Sequence, residues 1–402
     1  MLRFLTAGES HGPALVVIID GVPAGLPLSA DDIASDLARR QLGYGRGRRM
    51  AIERDRAEIL SGVRHGKTIG SPIALKIENR DWTNWQHSMA VAEPTDDLPG
   101  ARRAPVTRPR PGHADLAGGI KYDRDDLRDV LERASARETA GRVAAGAIAR
   151  QLLKALGVDI ASHVTGIGGA TVSDPSAVSF DRANAIPWDD DIHCADPKSA
   201  EAMKHAIDAA KDAGDTVGGT FEVIAHGVPA GLGSYTSWDR KLDGRLAHAL
   251  MSIHAIKSVG IGLGHDAGSR PGSQVHDEII RADKSGATGT LPGLARPTNR
   301  AGGLEGGVTN GEDVRVTAVM KPISTLMKPL RSVDLTTMDE SPAAIERSDV
   351  CAVPAAAVVG EAMVAFVLAE AMLEKFGGDT LADTRAALAH YAGRISARLS
   401  KR

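Results

Sequence analysis

The sequence is poor in aromatic residues, and its net charge is close to zero. Phenylalanine, tyrosine and tryptophan together make up 3% of the 402 residues, and the formal net charge is −3. Proteins that bind single-stranded nucleic acid usually stack the bases on aromatic side chains beside a basic groove. The scarcity of such side chains argues against nucleic acid as a partner.

Cysteine and long apolar runs are also scarce. The two cysteines, Cys194 and Cys351, are far apart and have no CxxC or zinc spacing, so we predict reduced thiols, no metal site and a cytoplasmic protein. The N-terminus turns polar at Glu9, too early for a signal peptide. The most apolar stretch, Pro354–Leu373, contains two glutamates, which predicts a buried helix and no contact with a membrane.

Arginine, by contrast, is concentrated in two short stretches. Leu37–Arg56 carries seven basic residues against two acids, and Ala101–Asp115 carries four arginines against one aspartate. Guanidinium stays protonated and offers a flat fork that matches carboxylate or phosphate, and the glycines and prolines of both stretches hold it on loops of defined shape. We therefore predict a pocket for a small polyanion.

Hydrophobic periodicity and turn residues predict helices and strands along the whole chain. The last apolar helix should lie at the centre of the fold. Within the 123–156 segment we predict two helices with a break near Ala134, and the alternative that the register allows is one continuous helix. The predicted strands are Ala14–Asp20, Ile52–Val63, Ile69–Ile77, Val158–Thr171, Thr216–Gly227 and Val314–Met320. The predicted helices run from a Ser29 cap to Gly43, over Asp123–Leu156, Ser199–Ala213 and Leu242–Ser258, and from Pro354 to Gly377. Asn79–Pro105 is predicted as a surface loop, 265–300 as an irregular excursion and 394–402 as a frayed tail.

Two histidines lie in glycine-bounded loops. His11 follows Ser10 directly, and such a neighbouring pair cannot readily form the nucleophile–base bond of a hydrolase; a histidine in a loop is more often structural or solvated. His113 follows a run of arginines and prolines, where it could donate or accept a proton beside a bound anion. The alternative is an ordinary loop histidine held by Asp115.

Arginines also flank two predicted helix ends. Arg133 and Arg137 bracket Ser135, and Ser135-Ala136-Arg137-Glu138 has the form of a capping box. A helix start favours phosphate, whereas the alternative for the two arginines is surface ion pairing with Glu132 and Glu138. Arg39 and Arg40 lie in the last turn of the first helix, where compensation of the helix dipole explains them equally well.

The C-terminal half adds a glycine loop over residues 299–311, which has neither GK[ST] nor GxGxxG. Such a loop allows the backbone to approach a flat or phosphorylated ligand closely. Lys321 follows the next strand, and Arg347 and Asp349 precede the apolar helix.

Taken together and in order, these segments resemble the chorismate synthase family. The motifs are GESHG, RRQLGYGRGRRM, RPRPGHADLAGGIKY, LERASARETAGRVAAGAIA, NRAGGLEGGVTNG, KPIST and RSDVCAVPAAAVV, and they span Met1 to about Asp379. The resemblance implies an α+β fold, a β-α-β sandwich in which antiparallel sheets flank central helices. It further implies a single domain over 1–402 and a homotetramer.

The resemblance also implies a lyase of the shikimate pathway and aromatic amino-acid biosynthesis. The family converts 5-enolpyruvylshikimate 3-phosphate to chorismate by anti-1,4 elimination of phosphate, and this substrate carries two carboxylates and a phosphate. It implies a flavoprotein, associated with FMN, FAD and NADP, that requires reduced FMN without net redox change. NADPH would enter only indirectly, for flavin reduction by an external flavin reductase, because no separate GxGxxG-bearing unit is present.

Residue roles follow from the resemblance by position. His11 would be the acid for the leaving phosphate, His113 would hold or protonate the flavin, and Asp349 would assist removal of the C6 proton. Ser10 and Ser135 would hydrogen-bond within this relay. Substrate or NADP would contact Arg40, Arg46, Arg49 and Arg137, with Arg48 and Arg133 also candidates for the phosphate. FMN would contact Arg133, Ala134, Ser135, His254, Ala255, Gly306, Lys321, Pro322, Ile323, Ser324, Thr325 and Arg347.

Two other classes of function stay open from the residues alone. One is a flavin-dependent oxidoreductase that acts on a small polyanionic substrate with net electron transfer, which would consume NADPH in step with product. The other is a non-enzymatic module that binds anions or nucleic acid, for which a steep salt dependence would be the sign.

Overall fold

The structure is a computed structural model that describes residues 1–46, 54–92, 104–282, 288–344 and 349–399. Its strands, in chain order, are β1 Arg3–Ala7, β2 Ala14–Asp20, β3 Ala57–Ile59, β4 Val63–Arg64, β5 Lys67–Thr68, β6 Ile73–Glu78, β7 Asp159–Ile167, β8 Ala170–Thr171, β9 Gly219–His226, β10 Ile256–Ile261, β11 Ile280–Arg281, β12 Leu294–Ala295, β13 Leu304–Glu305, β14 Val308–Thr309, β15 Val314–Met320, β16 Arg331–Val333 and β17 Glu340–Pro342. Its α-helices are α1 Ala30–Gln41, α2 Asp115–Tyr122, α3 Arg128–Leu131, α4 Thr139–Ala155, α5 Phe180–Asn184, α6 Pro197–Asp212, α7 Leu242–Met251, α8 Val353–Phe376 and α9 Leu381–Leu399.

One antiparallel sheet has the strand order β1-β2-β6-β3. Its second strand has the period-2 pattern of a sheet with one covered face: Leu15, Val17 and Ile19 are buried and alternate with exposed side chains. The strand predicted at 14–20 is confirmed, and its buried face lies against α4.

The other large sheet has the order β10-β15-β9-β7-β8, and all its pairs are antiparallel. β9 and β7 are buried over nearly their whole length, because α8 covers one face and α5 and its neighbours cover part of the other. Both segments were predicted as strands.

Helices α4 and α8 pack between the two sheets, and small residues allow their close approach. A Cβ added at Gly146 on α4 would lie 2.3 Å from the Cβ of Ala362 on α8. A Cβ added at Gly360 would lie 2.6 Å from the ring of Phe221 in the second sheet. The molecule is therefore a sandwich of sheet, helices and sheet, which confirms the expected fold.

Helix α8 is long and apolar enough to cross a membrane, but 89% of its most apolar window is buried inside the protein. It begins at a proline in its first turn and ends at Gly377, whose φ is +60°. The predicted buried central helix is confirmed. The two cysteines, Cys194 and Cys351, are both free and buried, and burial raises the pKa of Cys351 to about 11.

Several predicted boundaries differ from the structure. The helix predicted over Leu242–Ser258 stops at Met251, because the chain then pairs as β10 with β15. Of the strand predicted over 52–63, the described part forms β3 and the start of β4. Residues 394–399, predicted as frayed, are the last turns of α9. The 265–300 excursion contains short 3₁₀ turns and the small ladder of β11 and β12 in its described part.

The predicted break near Ala134 is present between α3 and α4. Ser135 caps the following turn through its side chain, which accepts a hydrogen bond from the N–H of Arg137 at 3.3 Å. The capping box is incomplete, because the carboxylate of Glu138 accepts from Thr6 at 2.7 Å and from Arg142 at 2.8 Å.

Candidate active site

His11 is held by a buried carboxylate that follows α3. Its Nδ1 lies 2.9 Å from Oε1 of Glu132, and its backbone N–H donates to Oε2 at 2.8 Å. The ring stacks on Trp85 with 4.0 Å between centroids. The neighbouring Ser10 accepts a hydrogen bond from the hydroxyl of Ser135 at 3.1 Å. Ser10, Ser135 and His11, which were predicted to act together, therefore lie close to one another.

His113 is held by its own acidic neighbour at the start of α2. Its Nδ1 lies 2.5 Å from Oδ1 of Asp115, whose other oxygen accepts from Nε of Arg110 at 2.8 Å. Burial alone would raise the pKa of Asp115, but the hydrogen bonds from His113 and Arg110 lower it well below its usual range. Because that carboxylate is ionised and only accepts hydrogen bonds, the proton of the neutral His113 ring lies on Nδ1, and Nε2 is the unprotonated nitrogen.

The KPIST segment after β15 lies against the His113 loop. Nζ of Lys321 donates to the carbonyl oxygen of Gly112, and its backbone N–H donates to Ala255 at 2.9 Å. Nη1 of Arg110 donates to the hydroxyl of Thr325 at 3.3 Å. The structure therefore brings Lys321, Thr325, Ala255 and the GHAD motif together.

The three residues between Lys321 and Thr325 contact two neighbouring segments, the one that precedes β9 and the loop that carries His113. The carbonyl of Ile323 accepts from the hydroxyl of Thr216 at 2.7 Å. The Cβ of Ser324 lies 3.6 Å from the position of a Cβ at Gly112, and the nitrogen of Pro322 lies 2.8 Å from one at Gly218. Glycine at these positions lets the two backbones approach each other closely.

Arg137 and Arg40 share one buried aspartate. Asp55 accepts from Nη1 of Arg137 at 2.6 and 2.7 Å and lies 3.5 Å from Nη1 of Arg40. Nε of Arg137 donates to Asn79 at 2.8 Å, and Asn79 in turn donates to the carbonyl of Gly12 at 2.7 Å. These bonds connect the arginines to the loop that carries His11.

Arg40 is one of the most electrostatically strained groups of the site. Its Nε donates to Thr139 and its Nη2 to the carbonyl of Ala136, both at 2.9 Å, while its Nη1 is buried without a hydrogen-bond partner among the described residues. Burial lowers the pKa of Arg40 to about 10, and the nearby charges of Arg46 and Arg137 act in the same direction.

Arg46 and Asp349 form an ion pair of 2.9 Å beside this cluster. Both charges act on Arg40: Arg46 lowers its pKa, and Asp349 raises it. Asp349 lies four residues before the central helix α8, and the N–H of the next residue, Val350, donates to the carbonyl of Gly45 at 2.9 Å. Arg40, Arg46 and Arg137, predicted for the substrate, therefore converge with the predicted catalytic Asp349. Arg48 and Arg49, also predicted for the substrate or its phosphate, and Arg347, predicted for FMN, lie outside the described residues.

His254 interacts electrostatically with both parts of the site, the residues around His113 and the arginine cluster that contains Arg40. Burial lowers the pKa of His254 to about 4, with the charges of Arg142, His113 and Arg40 acting in the same direction and Glu138 opposing them. Its Nδ1 is buried and has no hydrogen-bond partner among the described residues. A neutral imidazole with an unused nitrogen is the feature expected of a residue that contacts a ligand.

Three other residues were predicted to contact FMN. Of these, Arg133 and Ala134 make hydrogen bonds to the backbone of nearby segments, and Gly306 lies apart from the cluster. The exposed guanidinium of Arg133 donates to the carbonyls of Gly8 at 3.0 Å and Thr6 at 2.9 Å, so it fastens the end of β1 and makes neither of the ion pairs considered for it. Ala134 donates its N–H to Val130 at 2.9 Å and is half-buried beside Ser135.

Gly306 lies in the turn between β13 and β14, away from this cluster. The adjacent Gly307 accepts from the N–H of Leu242, the first residue of α7, at 2.9 Å. His254 follows the last turn of the same helix, and ten helical residues span about 15 Å. Within one chain, the length of α7 separates Gly306 from His254.

Sequence reasoning missed several residues of the site. The sequence indicates no role for Asp55, Asn79 and Trp85, places Arg110 only among the arginines of a polyanion pocket, and offers Glu132 only as a surface ion-pair partner of Arg133 and Arg137. An acid inside an otherwise basic stretch was the available signal for Asp55. Glu132 had no such signal, because its partner His11 is 121 residues away in sequence.

The family model for chorismate synthase matches residues 2–373. The chain belongs to the chorismate synthase family. The chorismate synthase of Moorella thermoacetica is 60% identical over 393 residues, which are 97% of this chain and 98% of that protein. The chorismate synthase of Geobacter sulfurreducens is 57% identical over 389 residues, 96% and 97% of the two chains.

A crystal structure of chorismate synthase shares the fold with a TM-score of 0.77, at 43% sequence identity and with 98% of both chains covered. The chorismate synthase resemblance, the α+β fold and the lyase class expected from the motifs are thus confirmed. The cluster around His11, His113 and Asp349 is the candidate active site of this family member.

Proposed function

We propose that the chain converts 5-enolpyruvylshikimate 3-phosphate to chorismate, with reduced FMN bound and no net redox change. The observation that carries this proposal is an excess of positive charge among the described residues around Asp55. Arg40, Arg46 and Arg137 share the carboxylates of Asp55 and Asp349, and Nη1 of Arg40 is a buried donor without a hydrogen-bond partner in the described chain. A substrate with two carboxylates and a phosphate supplies the missing negative charge.

In this elimination the C3–O bond breaks, its electron pair leaves with the phosphate, and a proton leaves C6 from the opposite face. The arginines bind the phosphate and carboxylates and stabilise the charge that develops on the leaving group. His11 donates a proton to that group from Nε2, with Ser10 and Ser135 hydrogen-bonded beside it. Asp349, paired with Arg46, assists removal of the C6 proton.

The residues around His113, namely His254 and the segment from Lys321 to Thr325, fit a flavin. His254 offers a buried imidazole nitrogen without a hydrogen-bond partner among the described residues, and Lys321 is fixed beside the open backbone of Gly112. Ser135, His254 and the segment from Lys321 to Thr325 would hold reduced FMN, which supplies electron density and an acceptor for the ring proton. His113 would hold or protonate it through Nε2.

The remaining assignments are part of the same proposal. NADPH acts only through flavin reduction by an external reductase, and the protein works in the cytoplasm as a homotetramer. Gly306 is kept as a contact of FMN, although within one chain it lies at the far end of α7.

The test is an anaerobic assay with 5-enolpyruvylshikimate 3-phosphate and photoreduced FMN, followed by chorismate absorbance with and without NADPH. The proposal predicts chorismate formation with a catalytic amount of reduced FMN and no dependence on NADPH. Absence of chorismate would overturn it, and NADPH consumption in step with product would favour the flavin-dependent oxidoreductase.

A further inference from the structure

Within the candidate site, one buried carboxylate holds both the main chain and the ring of His11. Glu132 accepts from the backbone N–H of His11 at 2.8 Å and contacts its Nδ1 at 2.9 Å. Its own backbone carbonyl accepts from the N–H of Ser10 at 3.0 Å. The side chain of Glu132 is fully buried, whereas 16% of the His11 side chain is exposed. Glu132 therefore fixes two successive residues of the loop.

The bond to a carboxylate determines the tautomer of the ring. Glu132 already accepts from the backbone N–H of His11 and lies beside the guanidinium of Arg128, so its oxygens act as acceptors and Nδ1 of His11 is the donor in the bond between the two side chains. In the neutral ring Nε2 then carries no proton, and it is the nitrogen that gains and loses the exchangeable proton. Among the described residues no hydrogen bond reaches this Nε2, so it is the nitrogen available to a ligand.

Two further side chains hold this arrangement. Trp85 lies against the imidazole with an angle of 26° between the rings, and its Nε1 donates to Asp81 at 2.9 Å. Arg128 lies 5.3 Å above the Trp85 ring and 3.7 Å from Glu132. The ring of His11 is thus covered on one face, and a nearby guanidinium compensates the buried carboxylate.

We propose that Glu132 is the positioning residue for proton transfer by His11. It fixes the Nδ1–H tautomer, directs Nε2 toward the departing phosphate and stabilises the imidazolium from which the proton is donated. This inference rests on the proposed function, since the phosphate of that substrate is the group that receives the proton.

The test compares two substitutions of Glu132 with a matched control. Glu132→Gln keeps an oxygen that accepts from Nδ1 but removes the charge, whereas Glu132→Ala removes the acceptor. We expect kcat to fall roughly 10–100-fold in Glu132→Ala and less in Glu132→Gln, the range for loss of a group that orients a functional ligand or side chain. KM should change little, because the carboxylate contacts His11 and not the substrate.

The control is Glu222→Gln in the second sheet. Glu222 is also a buried carboxylate between a histidine and an arginine, 3.1 Å from Nε2 of His163 and 2.6 Å from Nη2 of Arg315. Its substitution should lower the melting temperature and leave kcat unchanged. A loss of kcat that is equal in Glu222→Gln and Glu132→Ala would overturn the positioning role.

A second readout does not depend on activity. In ¹⁵N-histidine-labelled protein, with the His11 signals identified by their loss in His11→Gln, neutral wild-type His11 should be protonated at Nδ1. Glu132→Ala should shift it toward the Nε2–H form. An unchanged tautomer, or an active wild type with an equally active Glu132→Ala variant, overturns the positioning role alone. A wild type that makes no chorismate overturns the proposed function, and the role of His11 with it.

Discussion

Arg39 and Arg40 are consecutive residues of one helix, yet their electrostatic surroundings are opposite. Arg39 forms two bonds to Glu361 on the central helix, of 2.7 and 2.8 Å, and this carboxylate raises the pKa of Arg39 above its usual range. Arg40 points into the candidate active site, where burial lowers its pKa to about 10. Compensation of the helix dipole, considered from the sequence, accounts for neither.

The difference separates a structural charge cluster from a functional one. Around Glu361, two arginines, Arg39 and Arg150, meet two carboxylates, Glu361 and Asp36. Among the described residues around Asp55, three arginines, Arg40, Arg46 and Arg137, meet two carboxylates, Asp55 and Asp349. A balanced buried cluster is complete within the protein, whereas an excess of cations is relieved when an anion binds.

The largest expected effect sharpens the functional side of this comparison. His113→Ala should slow turnover by a factor on the order of 10²–10⁴, the usual contribution of a positioned proton donor or acceptor. The free energy of unfolding should fall only modestly, because the buried carboxylate of Asp115 keeps its two hydrogen bonds from the guanidinium of Arg110 when the bond from His113 is lost. Steady-state kinetics and urea unfolding measure the two effects, and wild-type turnover would remove His113 from the site.

The structural cluster should respond in the reverse way. Glu361→Ala leaves Arg39 and Arg150 without their main partner in the core and should lower the free energy of unfolding by about 3–5 kcal/mol. Glu374→Ala on the same helix removes a partner of Arg245 that is 44% exposed, and should cost less than about 1 kcal/mol. Equal effects in urea unfolding would contradict the distinction between the buried and exposed pairs.

A smaller effect is expected at the edge of the functional cluster. Arg46→Ala should weaken binding of 5-enolpyruvylshikimate 3-phosphate by roughly 1.5–3 kcal/mol, the scale of a hydrogen bond to a charged group. The substitution also removes the ion pair of 2.9 Å between Arg46 and Asp349. Calorimetric titration measures the affinity, and an unchanged value would place Arg46 outside the pocket.

His254 in the candidate site and Glu361 in the structural cluster should also lose their contributions to the free energy of unfolding in different pH ranges. Burial lowers the pKa of His254 from 6.5 to about 4, so between these values the unfolded chain binds more protons and stability falls as the pH falls. His254→Gln should reduce the fall in the free energy of unfolding between pH 6.5 and pH 4 by about 1–3 kcal/mol. The arginines lower the pKa of Glu361 below its usual range against the opposing effect of burial. Its contribution is therefore lost only at still lower pH.

Urea unfolding at a series of pH values measures both ranges. Glu361→Gln serves as the control, because it should leave the slope between pH 4 and 6.5 that is assigned to His254. A His254→Gln variant with the wild-type slope would contradict the assignment of that range to His254.

Much of the fold could be predicted from local patterns. Ala14–Asp20 is an uninterrupted apolar run, Ser29 and Asp32 form the complete capping box of α1, and Val353–Phe376 begins at a proline-bearing turn and ends at glycine. Each of these signals acts within a few residues. The family resemblance that the motifs carry also predicts that His11, His113 and Asp349 belong to one catalytic site, and this stays a prediction.

The partners of these residues could not be predicted, because they come from distant segments. Glu132 lies 121 residues from His11, and Asp55 lies 82 residues from Arg137. The sequence pattern predicts one helix over Leu242–Ser258, because nothing in the local sequence indicates that Ile256–Ile261 pairs with β15. Only the packing of α4 and α8 between the sheets brings these segments together.

The most direct test of the central claim compares Arg39→Met with Arg40→Met in the anaerobic chorismate assay, with each rate corrected for the folded fraction. Arg40→Met should lose substrate affinity and turnover with a modest loss of stability. Arg39→Met should lose stability but keep the wild-type rate per folded molecule. Equal catalytic losses in both variants would contradict the division into a structural and a functional cluster.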